Sequence, residues 1–419
     1  MTEIKIASKN LQHTARTRSN NLDQAYLKLE LFDNIQFIYE LALAKLELEA
    51  LGVNFEVTNS LRLFLADRNL DKDYLRRRVA YFKTIDGELT DYYFIQKRNQ
   101  THSVNQYLTH WIYPYKGKFH PQMIRAFLNI MNVKKGETVL DPFIGSGTTA
   151  LESQLLGINS IGIDVSPLCV LISKVKTESI NVLETIYKHK DNVFPSNAHL
   201  GNQNTLFARK ISEISRDERV RDFFKAAEMI AHSDFARRKK DFNKSFHENV
   251  LRMYKSVQDF RDVVTEIKLE LGKTNIMEGD ARHLPLADES IDGIITSPPY
   301  SIALNYVQND AHALSALGYD LNKIKEDFIG VRGQSLTKFD LYEDDMKLAY
   351  KEMFRVLKPG RYCSVIVGNV TFQGREIDTT QHAIDHCEEL GFHLVRKIEK
   401  IIYGLYNIMQ KEYILIFKK

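Results

Sequence analysis

A serine, two prolines and a tyrosine end the apolar stretch IDGIITSPPY, which closes at Tyr300. Consecutive prolines fix φ and remove two N–H donors, so the carbonyls around them are rigidly aimed. Ser297 adds a hydroxyl acceptor, and Tyr300 adds an aromatic face. These groups suit a planar base with an exocyclic amino group, which would bond to Ser297 and to a prolyl carbonyl while its ring stacks on Tyr300. The alternative is a strand terminator, Pro298-Pro299, followed by a surface tyrosine.

A glycine-rich turn, DPFIGSGTT, lies earlier in the chain at residues 141–149 and follows the short apolar run ETVL. Gly145 and Gly147 permit positive φ and close approach of a ligand to the backbone. A helix beginning near Thr148 would direct free N–H groups at an electronegative ligand. The spacing is neither that of a Walker A loop nor that of the GxGxxG dinucleotide fingerprint. A tight structural turn is the alternative interpretation.

Two aspartates come at the ends of the next predicted strands. Asp164 closes the run INSIGID, and Asp280 follows the run TNIMEG. A carboxylate in the first position can accept hydrogen bonds from two ribose hydroxyls, and one in the second can bind an adenine amino group. The alternative interpretation of each is a helix cap. Because ligands of parallel sheets bind at the carboxyl ends of strands, their shared placement favours the binding role.

Taken together, DPFIGSGTT, the strand-end aspartate and TSPPY resemble the S-adenosylmethionine-dependent DNA amino-methyltransferases, which methylate cytosine N4 or adenine N6. The segment YPYKGKFHPQMIRAFL, with His120 and Pro121, resembles the family segment that helps to hold the methionine part of the cofactor. MFRVLKPGRYCSVIVGN resembles a later helix–strand unit of the family. The serine form of the tetrapeptide is commonest among the cytosine-N4 enzymes, so the resemblance favours cytosine N4 over adenine N6.

The resemblance implies S-adenosyl-L-methionine as cofactor, double-stranded DNA as substrate, a cognate restriction endonuclease as a possible partner, and no metal. The implied catalytic residues are Ser297, Pro298, Pro299 and Tyr300. The implied cofactor-binding residues are His120, Pro121, Asp141, Phe143, Gly145, Ser146, Gly147, Thr148, Asp164, Asp280 and Thr296.

These motifs require a parallel α/β framework. The alternation of short apolar runs and helical patterns predicts about seven strands in a Rossmann-like doubly wound sheet, built from residues 110–177 and 274–419. A helical basic insertion over 178–273 interrupts it. Residues 21–109 are predicted to be mainly helical, and residues 1–20 to form a flexible basic arm. The insertion and the N-terminal region are both candidates for DNA recognition.

The charge distribution adds a modest signal. The 419 residues contain 57 Lys and Arg and 54 Asp and Glu, a net charge of +3. Residues 171–273 hold 20 basic and 15 acidic residues (20 − 15 = +5), so the positive excess lies around the insertion. Its densest run, Arg237 to Lys240, is interpreted as a solvated helix face, with phosphate contact as the alternative. Three scattered cysteines and the lack of a long apolar run indicate a cytoplasmic protein without membrane spans.

Two other functions remain open. One is methylation of an RNA base, as in the guanine-N2 methyltransferases, which carry an N-terminal RNA-binding domain with βα alternation. The helical pattern predicted for residues 22–100 argues against it. The other is a catalytically inert DNA-binding module, which would be expected to lose the glycine turn, a strand-end aspartate or the tetrapeptide. All of these are intact here.

Overall fold

The fold is described from a computed structural model for residues 26–101, 103–191, 193, 211–299, 306–333, 336–372, 375–400 and 412–419. The predicted N-terminal arm, 1–20, lies outside the described residues. So does Tyr300, the last residue of the tetrapeptide.

The N-terminal region forms a five-stranded antiparallel sheet with three helices. Its strands are paired in the order β2-β3-β1-β4-β5. The elements in chain order are β1 (Tyr26–Leu31), α1 (Ile38–Ala50), β2 (Phe55–Val57), β3 (Leu63–Asp67), α2 (Lys72–Arg78), β4 (Phe82–Ile85), β5 (Glu88–Leu89) and α3 (Asp91–Lys97). The first six of these elements follow the β-α-β-β-α-β order of ferredoxin-like folds.

The prediction of a mainly helical region over 21–109 is therefore wrong. The apolar spacing that suggested one long helix spans a strand and a separate helix. In β1, YLKLEL, the residues Leu27, Leu29 and Leu31 are buried while their neighbours are more exposed. That period of two is the pattern of a half-buried strand, and the leucine-rich helix α1 after it obscured the change of period.

A seven-stranded sheet forms the centre of the molecule, and the prediction of a doubly wound sheet is confirmed. The strand order is β13-β14-β10-β9-β6-β7-β8. The strands are β6 (Thr138–Asp141), β7 (Asn159–Asp164), β8 (Thr274–Glu278), β9 (Ile291–Thr296), β10 (Leu357–Gly368), β13 (His393–Lys400) and β14 (Glu412–Lys418), and a ribbon of β11 (Val370–Phe372) and β12 (Arg375–Ile377) lies outside this sheet. Strands β8, β7, β6, β9 and β10 pair in parallel, and β14 is antiparallel to both of its neighbours.

Helices cover the faces of this sheet, so β9 is buried along its whole length. The remaining helices are α4 (Pro121–Ile130), α5 (Thr148–Leu155), α6 (Pro167–Glu178), α7 (Leu183–His189), α8 (Glu218–Arg238), α9 (Phe242–Glu266), α10 (Tyr306–Asn309), α11 (Ala311–Ala316), α12 (Leu321–Asp327), α13 (Leu336–Val356) and α14 (Thr379–Glu389). Among the helices of these described ranges, none is both long and apolar enough to cross a membrane.

The strand order reverses between β6 and β9, which pair directly. From β6 the chain continues outward to β7 and β8 on one side, while β9, β10, β14 and β13 lie on the other. Connections at such a reversal diverge above the carboxyl ends of the two strands and leave a crevice there. The glycine turn follows β6 and the tetrapeptide follows β9, so both predicted motifs meet at this crevice.

The N-terminal sheet shares one hydrophobic core with the central sheet. Glu47 of α1 is fully buried, and its carboxylate accepts hydrogen bonds from the Ala80 amide at 2.7 Å and from the Asn129 side chain of α4. Burial raises the pKa of Glu47 to about 7. Because these bonds satisfy a buried carboxyl group from both sides of the junction, the two sheets are fused rather than joined by an open linker.

Candidate active site

The glycine turn needs glycine at two positions for different reasons. Gly147 has φ +77°, and a Cβ there would come within 2.8 Å of Ser173 Oγ and 2.9 Å of Ser173 Cα. Gly145 has φ +50°, and a Cβ there would press on the Tyr115 ring at 3.2 Å. The requirement at Gly147 comes from packing against α6, and that at Gly145 from the approach of Tyr115 to the turn.

Alanine at Gly147 should therefore destabilise the chain by about 2–4 kcal/mol, since backbone strain and overpacking add. Gly136 is the matched control, because it has φ +83° with nothing within 4 Å of the added Cβ. Gly136→Ala should cost only the strain, about 1 kcal/mol. Denaturant unfolding of the two variants measures the difference. Equal destabilisation by both substitutions would show that the close approach of Ser173 has no effect.

A buried lysine of α6 hydrogen-bonds to the backbone of the glycine turn. Lys176 of α6 is completely buried, and its Nζ donates to the Ser146 carbonyl at 2.7 Å. Ser173 Oγ, one turn earlier, donates to the Gly145 carbonyl at 3.1 Å. Burial lowers the pKa of Lys176 well below its usual value. With its carbonyls engaged by α6, the turn is fixed before any ligand arrives.

Asp141, predicted to contact the cofactor, braces the crevice instead. Its carboxylate accepts hydrogen bonds from Thr149 Oγ1 of α5 and Thr296 Oγ1 of β9, each at 2.7 Å. Its side chain is buried, and burial raises its pKa to about 7. Asp141 thus joins the ends of β6 and β9 to the start of α5, and neither it nor Thr296 lines the cleft.

Asp164 faces the crevice from the end of β7. Its two carboxylate oxygens accept the Gly145 and Ser166 amides, each at 2.9 Å. The Cys169 side chain is hydrogen-bonded to the same carboxylate, which still keeps a lone pair for a ligand hydroxyl. Burial raises the pKa of Asp164 to about 6, which leaves the group ionised near neutral pH. The geometry is that of a preorganised acceptor for paired hydroxyls.

Asp280, after β8, is held by an arginine. Arg282 donates its backbone N–H to Asp280 Oδ1 at 2.9 Å and its Nη2 to Oδ2 at 2.6 Å. The same guanidinium reaches Asp345 of α13 through Nη1 at 2.8 Å. Hydrogen bonds from Arg282 hold the pKa of Asp280 below its usual value, against the effect of burial. This ion-pair network fixes the carboxylate at the edge of the cleft.

A cleft of about 760 Å³ opens above the carboxyl ends of β6, β7, β8 and β9. Eight residues that were predicted as site residues line it: Phe143, Gly145, Ser146, Thr148, Asp164, Asp280, Ser297 and Pro299. Six other predicted residues do not: His120, Pro121, Asp141, Gly147, Thr296 and Pro298. Pro298 is buried beneath its neighbours. Tyr300 lies outside the described residues.

The segment before α4 lines the cleft with residues that the motifs did not single out. They are Tyr115, Gly117, Lys118 and Phe119, all within YPYKGKFHPQ. His120 caps α4 and its Nε2 contacts Asn105, and burial lowers its pKa to about 4. The segment that the resemblance indicated thus lines the cleft, while its residues His120 and Pro121 do not. The signal available in the sequence was the glycine between two aromatic residues and two lysines.

The insertion reaches the same site through Arg237 of α8. Its Nη2 donates to the Asn309 carbonyl at 2.6 Å and lies 3.5 Å from Asp310 Oδ1. Tyr113 donates its hydroxyl to the same Asp310 oxygen at 2.7 Å. Residues 309 and 310 belong to the segment after the tetrapeptide. The run from Arg237 to Lys240 is exposed, as a solvated face predicts, but Arg237 also contacts that segment. A charge run on a surface helix gave no sign of this partner.

Comparison with known proteins agrees with this geometry. Residues 57–175, which include the glycine turn and Asp164, match the family model of the N6/N4 DNA methylases. The type II methyltransferase M.MjaII of Methanocaldococcus jannaschii is 48% identical over 73 residues, 17% of this chain and 14% of the relative. The type II methyltransferase M.BsoBI of Geobacillus stearothermophilus is 25% identical over 280 residues, 53% of this chain and 55% of the relative. These matches are to the N6/N4 DNA methylases and to type II DNA methyltransferases, the family that the sequence motifs resemble.

A relative with another substrate also matches. A tRNA (guanine(10)-N2)-dimethyltransferase of Methanocaldococcus jannaschii is 33% identical over 149 residues, 34% of this chain and 40% of the relative. The chain thus spans about half or less of the length of each of these three relatives.

The cleft fits the family's cofactor. The Thr148 hydroxyl, at the start of α5, is buried at the cleft wall with no hydrogen-bond partner among the described residues. The glycine turn leaves room for a ligand against its backbone, and Asp164 presents free lone pairs beside it. An amino-acid group near Thr148 and a ribose at Asp164 would satisfy these groups, which is the donor and acceptor pattern of S-adenosylmethionine.

Proposed function

We propose that this chain transfers a methyl group from S-adenosylmethionine to the exocyclic amino group of a flipped base in double-stranded DNA, and that the base is cytosine, methylated at N4. The observation that carries the proposal is the meeting of Ser297 and Pro299 with Asp164 and the glycine turn in one cleft. The serine form of the tetrapeptide supports N4 over adenine N6.

In this proposal the cofactor lies along the carboxyl ends of β6 to β8. The Gly145–Thr148 turn receives its amino-acid end, Asp164 its ribose hydroxyls and Asp280 its adenine. Tyr115 and Phe119 line the same cleft, and their rings are available to the cofactor. When bound, the cofactor supplies an electrophilic methyl group.

The base's own amino nitrogen is the nucleophile. Ser297 and a prolyl carbonyl of the tetrapeptide orient its lone pair and disperse the positive charge that develops on it, and Tyr300 stacks on the ring. The proton leaves after methylation, when the nitrogen is far more acidic, so no strong base is required. The cysteines Cys169, Cys363 and Cys387 are buried, and burial raises the pKa of each thiol, which argues against a thiolate nucleophile.

RNA is the second candidate substrate, and two observations favour keeping it. One is the similarity to a tRNA (guanine(10)-N2)-dimethyltransferase. The other is the mixed α/β character of the N-terminal region, which removes the reason for setting RNA aside.

Labelled methyl incorporation separates the two substrates. The purified chain should transfer methyl groups from S-adenosylmethionine to double-stranded genomic DNA and leave total tRNA unlabelled. A Ser297→Ala variant in parallel controls for contaminating enzymes. Label in tRNA alone would contradict the DNA assignment, and label in neither would contradict the catalytic one.

A further inference from the structure

A second cavity of about 890 Å³ lies between the segment 106–118 and the insertion helices α8 and α9. Tyr115 and Lys118 line both this cavity and the cofactor cleft, so the two adjoin at these residues. The contact of Arg237 with Asn309 and Asp310 places the segment that follows the tetrapeptide against the same helix, α8. The cavity therefore adjoins the site where a flipped base would enter.

Basic side chains surround the mouth of the cavity. Arg238 and Lys240 have side chains 62% and 46% exposed, and Arg252 of α9 is exposed as well. They give three exposed basic residues against two acidic ones, Asp234 and Glu248. Lys118, deeper in the cavity, donates to the His110 carbonyl, and burial lowers its pKa to about 7. Asp234 is buried and already accepts hydrogen bonds from Arg238, Lys240 and Ser245, at 3.1, 3.0 and 2.8 Å. The field at the mouth is therefore positive, as a phosphate requires.

The guanidinium of Arg252 is held in place by an aromatic wall. Its Cζ lies 4.0 Å from the centre of the Trp111 ring, a cation–π contact. Trp111 is itself fixed, because its Nε1 donates to Ser256 Oγ at 2.6 Å and only 8% of the residue is exposed. The Arg252 Nη2 lies 3.5 Å from the Gln100 carbonyl, a long contact. A guanidinium stacked in this way can turn its N–H edge to phosphate oxygens with little rotamer freedom left to lose.

We infer that this cavity binds the backbone of the target DNA strand beside the flipped nucleotide, with Arg252 and Arg238 contacting a phosphate and Tyr115 dividing that nucleotide from its neighbour. The inference rests on the proposed function and assigns strand binding to the insertion rather than to the N-terminal sheet.

The test compares charge changes inside and outside the cavity, with DNA affinity as the readout. In the variant Arg238→Gln/Arg252→Gln, the buried Asp234 keeps its ion pair with Lys240. Lys347→Gln/Lys351→Gln on α13 is the control, because both lysines are exposed and neither lines either cavity.

The cavity variant should weaken DNA binding by about 10- to 100-fold, because it loses one or two charged hydrogen bonds. Its slope of log K against log salt should fall by about 0.9 for each phosphate that the variant no longer neutralises. S-adenosylmethionine affinity should not change.

The variant Glu248→Gln should change DNA affinity in the opposite direction from the cavity variant. A destabilised fold cannot produce a gain in affinity. Removing this negative charge at the mouth should tighten DNA binding and leave thermal unfolding unchanged. The inference is overturned if the cavity and control variants bind DNA alike, or if the cavity variant loses tRNA binding but keeps DNA binding. A failure of the proposed function gives a different result, because the unaltered chain would then transfer no methyl group to DNA. That result would overturn both the proposed function and this inference.

Discussion

Replacing Ser297 by alanine should lower the rate of methyl transfer by about 100- to 1,000-fold, while the affinity for S-adenosylmethionine changes by less than about threefold. The expected loss is that of one preorganised group acting on charge that develops in the transition state. Ser297 lines the cleft at the end of β9, where the binding contacts proposed for the cofactor come from other strands. Single-turnover methylation and calorimetric cofactor binding measure the two effects separately.

Ser290→Ala provides the matched control for this variant. Ser290 immediately precedes β9, and its hydroxyl donates to the Ala287 carbonyl at 2.7 Å, at the opposite end of the strand from the cleft. That substitution should leave the methylation rate within about threefold. Full activity of the Ser297→Ala variant would contradict the role proposed for the tetrapeptide in methyl transfer.

Replacing Asp164 by asparagine should weaken cofactor binding by about 100-fold, from two hydrogen bonds to a charged acceptor at about 1.5 kcal/mol each. Asparagine keeps the size of the side chain but turns one acceptor into a donor, which opposes both the Gly145 amide and a ribose hydroxyl. Asp378→Asn is the control, since Asp378 accepts the Gln381 amide at the start of α14, outside the cleft. Calorimetry with the cofactor compares the two.

The pH dependence adds a second test of Asp164. Burial raises its pKa to about 6, so the anion that accepts hydroxyl hydrogen bonds is lost as the pH falls through that value. Cofactor affinity should therefore decrease below about pH 6 in the unaltered chain, and the Asp164→Asn variant should lack this step. An identical decrease in both would assign the titration to another group, such as Asp141, whose pKa is raised to about 7.

The sequence predicted the central sheet well because its signals are local. Each strand that bears a motif is a short apolar run, and the strand-end residues Asp141, Asp164 and Asp280 do stand at the carboxyl edge. Parallel strands with helical crossovers leave few alternative arrangements. The N-terminal sheet was missed because β1 and α1 are both rich in leucine and lie only six residues apart, so the change of period was hidden.

The sequence alone does not show which site residues support the cleft structurally and which face the ligand. Asp141 and Asp164 follow strands in the same way, yet one braces Thr149 and Thr296 while the other faces the cleft. That difference depends on side-chain direction in three dimensions. The contacts of Lys176 and Arg237 were not predicted either, because their partners, the Ser146 and Asn309 carbonyls, are distant in sequence.

Mass spectrometry of nucleosides from DNA treated with the purified chain and S-adenosylmethionine tests the central claim most directly. The proposed function predicts N4-methylcytosine in the DNA, and its absence from DNA treated with the Ser297→Ala variant. N6-methyladenine in its place would keep the reaction and contradict the assigned base. DNA without any methylated nucleoside, beside methylated guanosine in treated tRNA, would contradict the claim that DNA is the substrate.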